Sequence, residues 1–132
     1  MAKLIVFTDG ASSGIPGPGF AMYVIQTANK ATLKQGRVKL DYCTNNEAEY
    51  KGVIYALDEI ISHPEFREKI EEIEFRLDSN LAVQQLNGKF KVKNANIRGY
   101  IFEIQVRLRQ IEQPVKFGYI PRELNIADKL KY

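Results

Sequence analysis

The run Lys3-Leu4-Ile5-Val6-Phe7-Thr8, closed by Asp9-Gly10, constrains this chain more than any other stretch. It is short, apolar and β-branched, as a central strand buried in a sheet must be, and Asp9-Gly10 predicts a turn at its end. Ser12-Ser13-Gly14-Ile15-Pro16-Gly17-Pro18-Gly19 is dense in turn residues. Phe20 to Ile25 and about Thr32 to Leu40 then read as two further strands, which with the first suggest an antiparallel meander.

From Thr44 to about Ile61 the pattern turns helical, with a candidate N-cap in Thr44-Asn45 and a stop at His63-Pro64. Ile70 to Leu77 alternates apolar Ile73, Phe75 and Leu77 with Glu72, Glu74 and Arg76, so it reads as a strand ending at Asp78. Ser79 to Leu86 predicts a short helix closed by Asn87-Gly88, and a linker from Lys89 to Asn94 follows. Ile97, Tyr100, Ile101, Ile104, Leu108 and Ile111 recur at helical spacing, which predicts an amphipathic helix packed on a sheet. Val115 to Ile120 makes a last strand, and Asn125 to Tyr132 has room for about two helical turns. Three strands followed by alternating helix and strand predict an α/β fold with a five-stranded mixed sheet and helices on both faces.

At 132 residues and 45% hydrophobic, the chain suits one core and is expected to form a single domain, 1–132. It has no apolar run near the ~20 residues that cross a bilayer, and no leader pattern at Met1, so a cytoplasmic protein is expected. One cysteine, Cys43, and one histidine, His63, cannot furnish a Cys/His zinc site. Any metal must be held by oxygen, which favours Mg²⁺, Mn²⁺ or Ca²⁺. A net charge of +3 permits a polyanionic partner without requiring one.

Asp9 and Asp78 each follow an apolar strand. If those strands are parallel neighbours, both acids emerge at the carboxyl edge where open α/β sheets bind ligands. Taken singly, Asp9 could also serve a turn, and Asp78 or Ser79 a helix cap. Helical phase separates the two nearby glutamates. Glu49 shares a stripe with Gly52, Val53, Ala56, Leu57 and Ile60, whereas Glu47 runs with Tyr50, Lys51, Ile54 and Asp58. Glu47 is therefore expected in solvent beside Lys51, and Glu49 inward, where an ionised carboxylate needs a cationic partner. No Lys or Arg lies on its stripe, so a bound metal is the economical partner.

Five segments then match a known family in order: Phe7-Thr8-Asp9-Gly10-Ala11-Ser12; Thr44-Asn45-Asn46 with Ala48-Glu49-Tyr50; Leu77-Asp78-Ser79; Gln85 to Asn94; and Ile120 to Asn125 with Ala127-Asp128. Together they closely resemble type-one ribonuclease H, in its branch of short bacterial and archaeal homologues. The resemblance implies hydrolysis of the RNA strand of an RNA/DNA hybrid, leaving 5′-phosphate and 3′-hydroxyl ends. It implies a quartet of Asp9, Glu49, Asp78 and Asp128 holding two Mg²⁺ ions, with Mn²⁺ as a substitute, that clamp the attacking and leaving oxygens. In that scheme Asp9 bridges the ions, Glu49 and Asp78 serve the ion near the leaving oxygen, and Asp128 serves the ion that activates water. Asn45, Asn46 and Asn80 are expected in the hybrid's minor groove, where the 2′-hydroxyl marks RNA. Thr44 is expected at a DNA-strand phosphate, Gly10, Ser12 and Gly14 along the bound hybrid, and Lys89, Lys91 and Lys93 on phosphates. The partner implied is the hybrid alone, bound by a monomer with no obligate protein partner and no membrane.

The chain departs from the family pattern in four places. Ile15 stands where an asparagine is usual, no histidine lies near Asp128, the spacing from Asn125 to Asp128 is one residue short, and little helix follows Asp128. One residue turns a helical side chain by about 100°. The rival reading is a catalytically weak or silent homologue that binds nucleic acid.

Overall fold

A computed structural model describes residues 2–131. Strands β1 (Lys3–Ser12), β2 (Gly17–Thr27) and β3 (Thr32–Cys43) form the antiparallel meander, and β4 (Glu72–Leu77) and β5 (Val115–Tyr119) add to it in parallel, in the order β3-β2-β1-β4-β5. Helices α1 (Asn45–Ser62), α2 (Asn80–Leu86) and α3 (Ala95–Leu108) follow the expected pattern. Three short 3-10 helices, Pro64–Arg67, Arg122–Leu124 and Ile126–Lys131, complete the chain. Tyr132, the end of the last expected helix, lies outside the described residues. No helix among those residues is long and apolar enough to cross a membrane.

The turn expected at Asp9-Gly10 does not form. β1 continues to Ser12 because β2 keeps pairing with it, Asp9 opposite Met22 and Ser12 opposite Gly19. The parallel ladder with β4 stops earlier, at Phe7 and Arg76. Asp9 therefore sits inside one ladder and just beyond the end of the other, which leaves its β4-facing flank open.

Strand alternation divides the sheet. Leu4 and Val6, with Ile73, Phe75 and Leu77, pack under Val53, Ala56, Leu57 and Ile60 of α1, the stripe predicted to face inward. Helix α3 was expected on the sheet but lies against α1 instead, burying Ile97 and Ile104. The reason is room: α1 already covers β1 and β2, and α2 lies against β4 and β5. On the opposite face, Ile5, Phe7, Met22 and Val24 meet Ala127, Ile126 and Leu130 of the last 3-10 helix. That short helix is the cover on this side, so helices flank both faces unequally. Beyond it the face is ionic: Glu72 pairs with Lys3 at 3.1 Å and Lys116 at 2.6 Å, and Arg76 pairs with Glu74 at 2.6 Å.

Candidate active site

Asp9, Glu49 and Asp78 converge, each offering a carboxylate oxygen within 4.8 Å of the others. Asp9 comes from β1, Asp78 follows the end of β4, and Glu49 comes from the first turns of α1. Two glycines permit this approach. A Cβ at Gly10 would overlap the backbone of Ala48 and Glu49, and one at Gly52 would stand 2.8 Å from the carbonyl of Asp9. Only with both side chains absent can the start of α1 lie directly on β1.

Asn125 ties the strand ends together. It is 2% exposed, and its Nδ2 donates to the Thr8 carbonyl at 2.9 Å and to Asp78 Oδ2 at 3.0 Å. Its Oδ1 accepts from the backbone N–H of Ala127 at 3.1 Å, so the same side chain starts the last 3-10 helix. In a 3-10 helix, residues three apart eclipse one another. Asn125, Asp128 and Lys131 therefore line up toward the site. Asp128 faces Asp9 across the Lys131 ammonium, outside the three-carboxylate group. The tighter helical pitch, rather than an α-helix with a residue missing, brings it there. Lys131 Nζ is 2.6 Å from Asp128 Oδ1 and 3.6 Å from Asp9 Oδ2.

The cluster is electrostatically crowded. Burial, then the charge of Asp78 and the nearby Asp128 carboxyl, raise the Asp9 carboxyl to about 6, against the opposing pull of Lys131 and the Gly10 N–H. Burial, then the charges of Asp9 and Asp78, push Glu49 well above the usual carboxylate range. Asp128 goes the other way, lowered first by the Lys131 ammonium 2.6 Å from its Oδ1. Asp9 Oδ2, Glu49 Oε2 and Asp128 Oδ1 are buried without a well-aligned hydrogen-bond donor, so Asp128 meets Lys131 as an ion pair. Crowded, oxygen-only, under-satisfied acids fit a hard divalent cation.

Glu47 is not the solvated partner of Lys51 that its helical phase suggests. Its Oε1 accepts from the Thr44 N–H at 2.9 Å while Thr44 Oγ1 accepts from the Glu47 N–H at 3.1 Å, a reciprocal cap on α1. Glu47 Oε2 also accepts from Asn96 Nδ2 at 3.0 Å, joining the starts of α1 and α3. Lys51 instead sits 4.9 Å over the Tyr100 ring. The cap bond outcompetes an exposed ion pair because it satisfies backbone groups that have no other partner.

Of the expected nucleic-acid contacts, Asn45 and Ser12 are brought together, the Ser12 N–H donating to Asn45 Oδ1 at 2.7 Å. Ser12 also bonds to the Gly14 carbonyl through its hydroxyl and accepts from the Gly14 N–H at 3.2 Å. Asn46 lies beside Asn45 in the first turn of α1, and Asn80 opens α2, accepting from Gln84 Nε2 at 3.2 Å. Lys89, Lys91 and Lys93 are exposed, and among the described residues none has a carboxylate within 4.0 Å. Their loop runs into α3, whose Asn96 is bonded to Glu47, so it reaches the start of α1. His63 caps the far end of α1, its Nδ1 2.8 Å from the Glu59 carbonyl, away from the carboxylates.

The positioning role of Asn125 and the presence of Lys131 were not read from the sequence. The signal for both is the i, i+3 spacing of Asn125, Asp128 and Lys131, which points one way only if the segment is 3-10.

A mixed five-stranded sheet with an acidic cluster at its carboxyl edge, beside a helix start rich in amides, places the chain in the ribonuclease H-like class of folds. A family model described as reverse transcriptase-like matches residues 7–130. The bifunctional protein Rv2228c of Mycobacterium tuberculosis is 32% identical over 130 residues, 97% of this chain and 34% of that protein. This chain thus spans about a third of the length of that curated relative. The solved N-terminal RNase H domain of the same mycobacterial protein superposes with a TM-score of 0.87 at 30% identity, covering 99% of this chain and 91% of that one. LC11-RNase H1, solved in complex with an RNA/DNA hybrid, gives a TM-score of 0.87 at 34% identity, covering 96% and 92%. The chain belongs to the type-one ribonuclease H family and has its fold.

Proposed function

We propose that this chain hydrolyses the RNA strand of RNA/DNA hybrids, leaving 5′-phosphate and 3′-hydroxyl ends, as a monomer in the cytoplasm. The observation that carries the reading is the convergence of Asp9, Glu49 and Asp78 with two buried, donor-free oxygens beside an amide-bearing helix start. Asp9, Glu49, Asp78 and Asp128 are the residues that hold Mg²⁺, or Mn²⁺ in its place. Two such ions, when bound, activate the attacking water and stabilise the leaving oxygen.

The chain's own groups do the rest. Asn125 fixes Asp78, and the glycines at 10 and 52 let the main chains that carry Asp9 and Glu49 lie close together. The capped start of α1 keeps free N–H groups for a phosphate next to Thr44. Asn45, its oxygen held by the Ser12 N–H, reads the minor groove with Asn46 and Asn80 through its amide N–H₂. Ser12, Gly10 and Gly14 shape the adjoining wall, and Lys89, Lys91 and Lys93 contact phosphates.

One observation favours the second reading, a silent homologue that binds hybrid: Lys131 already pairs with Asp128. A labelled hybrid incubated with protein in Mg²⁺ and separately in Mn²⁺, with Asp9→Asn as control, decides between them. Cleavage abolished by the substitution supports the enzyme. Binding without cleavage in either metal supports the silent homologue.

A further inference from the structure

We propose that Lys131 is a resident cation that holds the carboxylate cluster together when no metal is bound and must withdraw for a divalent ion to enter. On this view it sets how tightly the site takes a metal. The inference rests on reading the cluster as a metal site.

Position is the first argument. Nζ lies between Asp128 Oδ1, at 2.6 Å, and Asp9 Oδ2, at 3.6 Å, and the side chain is only 21% exposed. Asp9 Oδ2, the oxygen it faces, has no hydrogen-bond donor. No other Lys or Arg among the described residues comes within 4.0 Å of Asp9, Glu49, Asp78 or Asp128. Lys131 is thus the one cation in direct contact with an acidic cluster that burial penalises heavily.

Exclusion is the second. A divalent ion shared by Asp9 and Asp128 would stand at ion-pair distance from the ammonium, where like charges repel strongly in a part-buried setting. The ammonium is a point charge on a flexible stem, so it can leave without disturbing the backbone. A cleft of about 400 Å³, lined by Ser12, Ser13, Phe20, Lys39 and Lys131 itself, adjoins it and gives the stem a place to go. The ammonium supplies a single positive charge at one corner and satisfies neither Glu49 nor Asp78, so it is a placeholder rather than a substitute.

The test is Mn²⁺ titration calorimetry of the full chain as wild type, Lys131→Met, Lys131→Gln and Lys131→Arg, with melting curves in EDTA. Removing the charge should tighten Mn²⁺ binding roughly tenfold, the weight of one part-buried ion pair, and lower the melting temperature in EDTA. Lys131→Arg should stay within about twofold of wild type, since the charge is retained. Equal or weaker Mn²⁺ binding in both charge-free variants, even with altered melting, overturns the proposal and makes Lys131 a structural ion-pair partner. Lack of Mn²⁺ uptake by every form, with or without hybrid, refutes the metal reading itself.

Discussion

The two corners of the carboxylate cluster are built differently. Asp9 and Glu49 stand on long elements packed into the core, and Asp78 directly follows a strand whose Ile73, Phe75 and Leu77 are fully buried. Asp128 stands on a six-residue 3-10 helix and is held by Asn125, by Lys131 and by the apolar contacts of Ala127 and Leu130. Where core packing fixes a ligand, replacing it changes chemistry and leaves the scaffold intact. Where a few hydrogen bonds fix it, position and chemistry change together.

Substitutions can break this contrast. Asp9→Asn should have the largest effect, cutting hybrid cleavage by about 10³-fold or more, while raising the melting temperature of metal-free protein at pH 7 by about 5 °C. The sign follows from the raised Asp9 carboxyl. Its folded value of about 6 lies above the ordinary 3.8, so the wild type gains stability as pH falls through 6 and has gained it all below the ordinary value. The advantage of Asp9→Asn should therefore shrink from pH 7 toward pH 4. Melting curves in EDTA across that range check it, and a variant less stable at pH 7 would contradict the crowding described above.

Next in size, Glu49→Gln should lower cleavage by about 100-fold, whereas Glu47→Gln should change it by less than about threefold, because glutamine also closes a capping box. Equal losses in a hybrid-cleavage assay would remove the distinction between the glutamates. At the weaker corner, Asp128→Asn should cost about tenfold, partly recovered at high metal concentration. Asn125→Ala should match that loss and also destabilise the protein by about 2 kcal/mol in urea unfolding, because a buried carbonyl and carboxylate lose their donor. If Asn125→Ala leaves stability unchanged, the two corners do not share the tie inferred for them. The smallest effect belongs to the loop: replacing Lys89, Lys91 and Lys93 together by alanine should lower the salt slope of hybrid binding by at most about 3, with cleavage unchanged at saturating hybrid.

Much of this arrangement was legible in the chain. Apolar strands before Asp9 and Asp78 meant that, if parallel and adjacent, they would bring both acids to one edge, and β1 and β4 are such neighbours. Helical phase alone put Glu49 on the packed stripe of α1. What escaped depended on partners far away in sequence. The extension of β1 past Asp9-Gly10 is dictated by β2, and the place of α3 by how much sheet α1 had already covered. Glu47 followed its cap instead of its i+4 neighbour, a choice between local bonds that phase does not rank. The Asp128 corner was hardest, since α and 3-10 spacing share the same letters and differ only in pitch.

The paired glycines carry a last consequence. Because Gly10 and Gly52 let backbone rest on backbone, the main chains that carry Asp9 and Glu49 meet at a hard stop, and only side-chain rotation adjusts the space between the two acids. A side chain at either position would act as a shim, lifting the helix from the strand and parting the two acids at their roots.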